Sequence, residues 1–233
     1  MADLDWIPLT DDVWTAEHAP TGGMPLRTVA VALTDGGTLI CSPIRACGNA
    51  DHPVPAGAGD PSVLLAPNHF HNLGLPRWQA RFPAAQIVSS ERAQARLAKR
   101  LPELTFGGLD ALRGRLPESV TLLEPEGTAN GEVWLRIATA DGIVWVVSDA
   151  WFSVKTLPAG ALGVVSRLLR VAPGLQVGRT WLWIALKRRN VYRTWVVKQL
   201  TADRPTTLVT GHGEILRGAD LSDRLMALVN RYV

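Results

Sequence analysis

The chain is built from short β-rich runs that come first in antiparallel pairs and later alternate with helical segments, and this ordering limits its fold more than any other feature. Val29-Ala30-Val31-Ala32-Leu33 and Thr38-Leu39-Ile40-Cys41 flank Thr34-Asp35-Gly36-Gly37. Runs of this kind on either side of Asp-Gly read as a hairpin, because those residues accept the backbone angles of a tight turn. Trp6-Ile7 and Asp12-Val13-Trp14-Thr15 supply two further short strands, and the Gly-, Pro- and Ala-rich stretch from Gly48 to Asp60 is a loop. Ser62-Val63-Leu64-Leu65-Ala66 is a buried strand stopped by Pro67, and it delivers the polar and aromatic cluster Asn68 to Asn72 to a loop at its C-terminal edge. Pro76 opens a short helix through Phe82, Gln86-Ile87-Val88 is a strand, and Ser89-Ser90-Glu91 caps a helix running to about Leu101. In the second half, strands are read at Val120 to Leu123, Glu132 to Ile137 and Ile143 to Val147, the last two joined by Asp141-Gly142. A helix from Asn190 to Ala202, a strand at Thr207-Leu208-Val209 and an amphipathic helix from Asp220 to Arg231 complete the chain. The same theme in both halves predicts an α+β protein with two mixed β-sheets packed face to face and helices outside, a four-layer αββα sandwich formed by residues 1–233 as one domain.

Composition agrees with an ordinary packed core: 47% apolar and 19% charged residues argue against disorder and against a coiled coil. The net charge is +3, and the 24 basic and 21 acidic residues read as scattered apart from Lys187-Arg188-Arg189. One such cluster, with Tyr192 and Trp195 after it, is too thin for nucleic-acid binding and reads as a solvated face, so no nucleic-acid partner is expected. Cys41 and Cys47 make neither a disulfide framework nor a CxxC pair, which points to a reducing compartment. The acidic start Met1-Ala2-Asp3-Leu4-Asp5 and the lack of any apolar run of membrane-span length predict a cytoplasmic protein with no membrane span.

Only five histidines are present, and three follow predicted strands directly: His69 and His71 after Leu64-Leu65-Ala66, and His212 after Leu208-Val209. Asp149 follows Val146-Val147 in the same way. Imidazole and carboxylate are natural ligands for zinc or iron, and residues two apart in an extended segment project to one side. His69 and His71 are therefore candidate ligands of one ion, and His212, between Gly211 and Gly213, lies on a turn tight enough to expose its ring. Two bland readings stay open: loop histidines satisfied by carbonyls and water, and an Asp149 that merely caps its turn. Asn68, Asn72 and Thr128 are too weak to ligate but able to orient water or substrate, or else belong to ordinary turns.

Four segments in order carry a family resemblance: Thr34 to Pro43, His69-Phe70-His71 after a strand, Ser148-Asp149-Ala150-Trp151-Phe152, and Thr210-Gly211-His212-Gly213-Glu214. Together they resemble the metallo-β-lactamase superfamily, whose corresponding segments read as a hairpin ending in Leu-Ile-Asp-Pro, an HxHxDH loop, a Gly-Asp segment and a Gly-His-Gly or Ser-His-Gly turn. The likeness runs from about Trp6 to Leu216. A branch of that superfamily with an Ala-Pro-Asn-x-x-His motif is similar at Leu65 to Asn72 and at Trp78 to Pro83. Departures are equally plain, since the loop pattern puts its Asp and third His at Leu73 and Gly74, and a further histidine falls at Thr128. Glu124 and Glu126, flanking Pro125, are substitute ligands or simply solvated carboxylates.

The resemblance implies an incomplete, mononuclear site that binds one divalent metal, zinc foremost with iron or manganese as the other candidates, or none. His69, His71, Asp149 and His212 would be the ligands, with Asp149 also catalytic, and a small ester, thioester or phosphoester the substrate. The alternative is a non-catalytic member of the fold that serves as a binding or oligomerisation module. Trp151, Trp181, Trp183 and Trp195 fit a pocket lining, a core or an oligomer interface, and Val164 to Gly178 fits a cover, a homodimer surface or a lipid-facing patch.

Overall fold

The computed structural model describes residues 5–19, 24–45, 53–156 and 160–233; Cys47, residues 1–4 and the first part of the loop expected from Gly48 lie outside them. The first sheet has seven strands in chain order. β1 (Ile7–Thr10), β2 (Val13–His18), β3 (Leu26–Ala32) and β4 (Thr38–Cys41) form an antiparallel meander, and the Asp35-Gly36 turn is made with Gly36 at φ 85°. β5 (Pro61–Ala66), β6 (Gln86–Ser89) and β7 (Phe106–Gly107) continue it in parallel, with α1 (Leu75–Arg81) and α2 (Glu91–Arg100) as the crossovers between them.

After α3 (Asp110–Arg113), the strands β8 (Val120–Leu123), β9 (Trp134–Thr139) and β10 (Gly142–Val147) make the antiparallel part of a second sheet. A ribbon of β11 (Phe152–Val154) and β12 (Gly174–Gln176) encloses α4 (Ala161–Leu168), and α5 (Arg179–Ile184) and α6 (Arg189–Asp203) follow. β13 (Thr207–Thr210) then returns parallel to β10, β14 (Leu216–Arg217) pairs with β13, and α7 (Leu221–Tyr232) ends the chain. The second sheet has the order β14-β13-β10-β9-β8.

The period-two alternation of the strands builds the layers. Val29, Val31, Leu39, Val63 and Leu65 of the first sheet meet Leu122, Leu135, Ile137, Val144 and Val209 of the second in one buried core. The intervening residues face outward: Ile40, Leu64 and Ile87 pack under Leu75 and Trp78 of α1 and Leu97 of α2. Trp134, Trp145 and Leu208 pack under Val196 of α6 and Leu225 of α7. Helix, sheet, sheet and helix are thus stacked in the order the sequence predicts.

Differences from the sequence reading are local. Glu132 and Val133 precede β9 instead of opening it, because the Val133 amide donates to Pro67 O and leaves the ladder. Ser90 is the residue before α2, but its hydroxyl donates to Gly131 O (2.7 Å) and does not cap the helix. Of the four tryptophans left open above, Trp151 and Trp181 are core, Trp195 packs against that core, and only Trp183 is exposed. Cys41 is a buried free thiol, and burial pushes its pKa up to about 12, so it is chemically inert.

Candidate metal centre

The parallel pairs β4/β5 and β10/β13 have their C-terminal ends at one rim, and the segments that leave those ends converge there. Ser42 leaves β4, Asn68 to His71 leave β5, Asp149 leaves β10 and His212 leaves β13. His71, Asp149 and His212 meet, with one ligating atom of each within 4.8 Å of the others. His71 Nε2 is 3.2 Å and His212 Nε2 3.3 Å from Asp149 Oδ1, and the two rings stand edge to face at 5.3 Å.

Each member is held by its other polar atom. Asn68 Nδ2 donates to Asp149 Oδ2 (2.7 Å), while Asn68 Oδ1 accepts the amides of Phe70 and His71 and so shapes the loop. His71 Nδ1 is 2.8 Å from the Ser42 hydroxyl, and His212 Nδ1 donates to Pro25 O (3.0 Å). Phe152 stacks on the His212 ring at 5.2 Å. The turn that carries His212 is clamped from β3: the Arg27 amide donates to Gly211 O and its buried guanidinium to Gly213 O (2.7 Å). Glycine is required at 213, where φ is 102° and a Cβ would lie 2.4 Å from the Ser153 carbonyl carbon.

This donor set fits a divalent cation. A carbonyl oxygen only accepts, so His212 Nδ1 carries a proton and Nε2 turns either a lone pair or a second proton toward the carboxylate. Something positive belongs between them, and two imidazoles with one carboxylate, each oriented by a second partner, suit zinc or iron. Ligand atoms about 2.05 Å from a tetrahedral ion stand about 3.3 Å apart, close to both nitrogen–oxygen separations here. Burial pushes the Asp149 carboxyl upward, but the two imidazoles outweigh it and hold the pKa well below the usual carboxylate range. Burial opposes charge on His71 as well, yet Asp149 and, more weakly, Glu132 raise its pKa above the ordinary value.

The cluster forms one wall of a cavity of about 560 Å³, whose other walls include Leu26, Ile44, Phe70, Leu73 and Arg77. Asn72 lies on the same cavity; its Nδ2 donates to His69 O, and its buried Oδ1 has no partner among the described residues.

Four sequence candidates, His69, Thr128, Glu124 and Glu126, stand elsewhere. His69 is not drawn into the cluster: its Nδ1 donates to Asn130 O (3.0 Å), and its Nε2 faces the Arg96 guanidinium at 3.1 Å. Burial, then the positive charge of Arg96, lowers its pKa, so the ring is neutral with both nitrogens engaged. In the turn after β5 the i, i+2 spacing does not keep two side chains on one side as it would in a strand. Thr128 does not line the cavity, and its hydroxyl donates to Pro125 O. Glu124 is exposed and pairs with Arg113, and Glu126 is also exposed and away from the cluster. At Gly74 a Cβ would come within 2.1 Å of Pro43 O, so no side chain of any kind fits there, and Leu73 is 68% exposed at the cavity mouth.

Ser42, Arg27 and Glu132 were missed. Ser42 was the most accessible, because it occupies the Asp of the Leu-Ile-Asp-Pro pattern in Leu39-Ile40-Cys41-Ser42-Pro43. Glu132 lies in the loop before β9 and binds four donors, among them the Ala150 amide next to Asp149. No spacing or periodicity marks it or Arg27.

No family model matches the chain, and no curated protein matches it. Among solved structures, DIM-1 metallo-β-lactamase superposes with a TM-score of 0.61 at 10% identity, covering 100% of this chain and 99% of that one. This chain has the metallo-β-lactamase fold. A metallo-β-lactamase from Pontibacter korlensis gives 0.55 at 15% identity over 98% of this chain and 99% of its own. The metal-soaked Flv1 flavodiiron core from Synechocystis sp. PCC6803 gives 0.60 at 11% identity, over 99% of this chain and 60% of that one. At such identities the likeness is one of metallo-β-lactamase architecture alone.

Proposed function

We propose that the protein is a metallo-β-lactamase-fold hydrolase that holds one divalent cation, zinc in the first instance, at His71, Asp149 and His212 and cleaves a small ester, thioester or phosphoester. The observation that carries this reading is the convergence of two imidazole nitrogens on one Asp149 oxygen at a cavity wall, with the opposite atom of each side chain already engaged. When bound, the cation supplies a Lewis acid that polarises a carbonyl or phosphoryl oxygen and brings the acidity of water toward neutrality.

The chain's own residues supply position and exclusion. Ser42 and Pro25 O fix the two rings, and Asn68 keeps one Asp149 oxygen turned to the imidazoles. Leu26, Ile44, Phe70 and Leu73 give the cavity apolar walls beside Arg45 and Arg77, and its volume suits a small molecule.

A second reading, a binding or oligomerisation module without catalysis, is favoured by one observation: the backbone at Gly74 leaves no room for a further ligand. Hydrolysis of chromogenic esters, thioesters and phosphodiesters with added zinc, manganese or iron separates the two. The proposal expects metal-dependent turnover that His71→Ala abolishes. Turnover unchanged by that substitution, or absent with every metal, would remove it.

A further inference from the structure

The charges are less evenly spread than they read from the sequence. From Ala150 to Ala202 there is no Asp or Glu at all, against nine Lys or Arg. The remaining 180 residues hold 15 basic and 21 acidic residues, so the chain is polarised into a segment of +9 and a remainder of −6. Of the nine, only Lys155 pairs with a carboxylate among the described residues, that of Glu214.

Within this segment α4 turns an apolar stripe outward. Among its described side-chain positions Gly163 and Ser166 are buried, whereas Ala161, Val164, Val165 and Leu168 are exposed, Val164 by 62% and Leu168 by 59%. Positions i, i+3, i+4 and i+7 form the apolar stripe of an amphipathic helix, which ordinarily faces the core. Here it faces away. α5 adjoins the end of α4 through the Arg179 amide, which donates to Leu169 O, and adds Trp183 (63% exposed) and Ile184 (49% exposed). The exposed run Lys187-Arg188-Arg189 follows directly.

We infer that α4, α5 and the basic residues around them dock the protein peripherally on an anionic lipid bilayer, with aliphatic side chains and Trp183 entering the interface and the cations meeting the headgroups. An outward aliphatic stripe among unopposed Lys and Arg is the pattern of an interfacial helix, and tryptophan favours the headgroup level. A second copy is a poor occupant, since a two-fold contact would set this strongly basic segment against itself. Nucleic acid would meet the cations but leave Val164, Val165 and Leu168 in water. No helix among the described residues is long and apolar enough to cross a membrane, and peripheral docking needs none. The inference is independent of any metal at the rim.

The test is co-sedimentation of the full chain with phosphatidylcholine vesicles, with and without phosphatidylglycerol. Binding is expected on the anionic vesicles, at least about tenfold weaker on the neutral ones, and weakened by salt. Leu168→Asp and the double reversal Arg188→Glu/Arg189→Glu should each reduce it about tenfold or more, while Ile7→Asp, on β1, should not; unchanged melting curves show that the variants are folded. No anionic binding, equal binding to neutral vesicles, or full binding by Leu168→Asp each overturns the inference. So does duplex DNA binding or dimerisation without vesicle binding.

Discussion

Replacing Glu132 by glutamine changes one buried atom and should destabilise the protein markedly. Glu132 Oε1 accepts from Trp134 Nε1 (2.9 Å) and the Ala150 amide (3.1 Å), and Oε2 from Asn130 Nδ2 (3.0 Å) and Trp181 Nε1 (2.8 Å). Whichever way glutamine sits, its NH₂ confronts two donors, so two hydrogen bonds to a charged acceptor are lost, at about 1.5–3 kcal/mol each. Part is recovered because a costly buried charge disappears: burial, followed by the charge of Asp149, holds this carboxyl above its ordinary pKa. The balance is about 3 kcal/mol, or a fall in Tm of about 6–12 °C for a chain of this size. Urea unfolding should show a lower midpoint with an unchanged slope. A loss below about 1 kcal/mol would refute the reasoning, since it would mean that the folded protein carries a neutral acid there which glutamine imitates.

Gly213→Ala should cost more than about 3 kcal/mol in the same assay, because the new Cβ meets the Ser153 backbone, whereas Gly57→Ala, with positive φ but open space, should cost about 1 kcal/mol. Ser42→Ala releases His71 Nδ1 and should weaken zinc binding roughly 10- to 100-fold in competition with a chromophoric chelator; unchanged affinity would deny Ser42 an orienting role. In the metal-free protein the depressed Asp149 pKa contributes stability that is present above the unfolded value near 3.8 and is lost as pH falls below it. The raised His71 pKa contributes stability that is full below 6.5 and is lost as pH climbs through the higher folded value. Asp149→Asn should flatten both limbs of the stability profile against pH, and retention of either limb would contradict their assignment to this pair.

The strands were legible because alternation and Asp-Gly turns are local signals: β3, β4, β9 and β10 show them directly, and burial on alternate faces follows. α4 and α5 were not legible, since a helix with an apolar stripe on the solvent side reads only as an apolar stretch. At the site, strand-end position drew attention to His71, Asp149 and His212, whose side chains come together where parallel strands of the two sheets end. The same signal over-reached at His69, because a turn, not a strand, carries it and Arg96 comes from α2. Arg27 and Glu132 act through contacts far away in sequence, with Gly213 and Trp181, and no local pattern encodes those.

The claim beneath the functional reading is that His71, Asp149 and His212 chelate one cation. Cobalt titration followed by visible absorption tests it without reference to any substrate. A ligand-field spectrum saturating at one equivalent per chain is expected, abolished in His212→Ala and intact in His69→Ala. A featureless titration of the folded protein, or a spectrum that depends on His69 and not on His212, would contradict it.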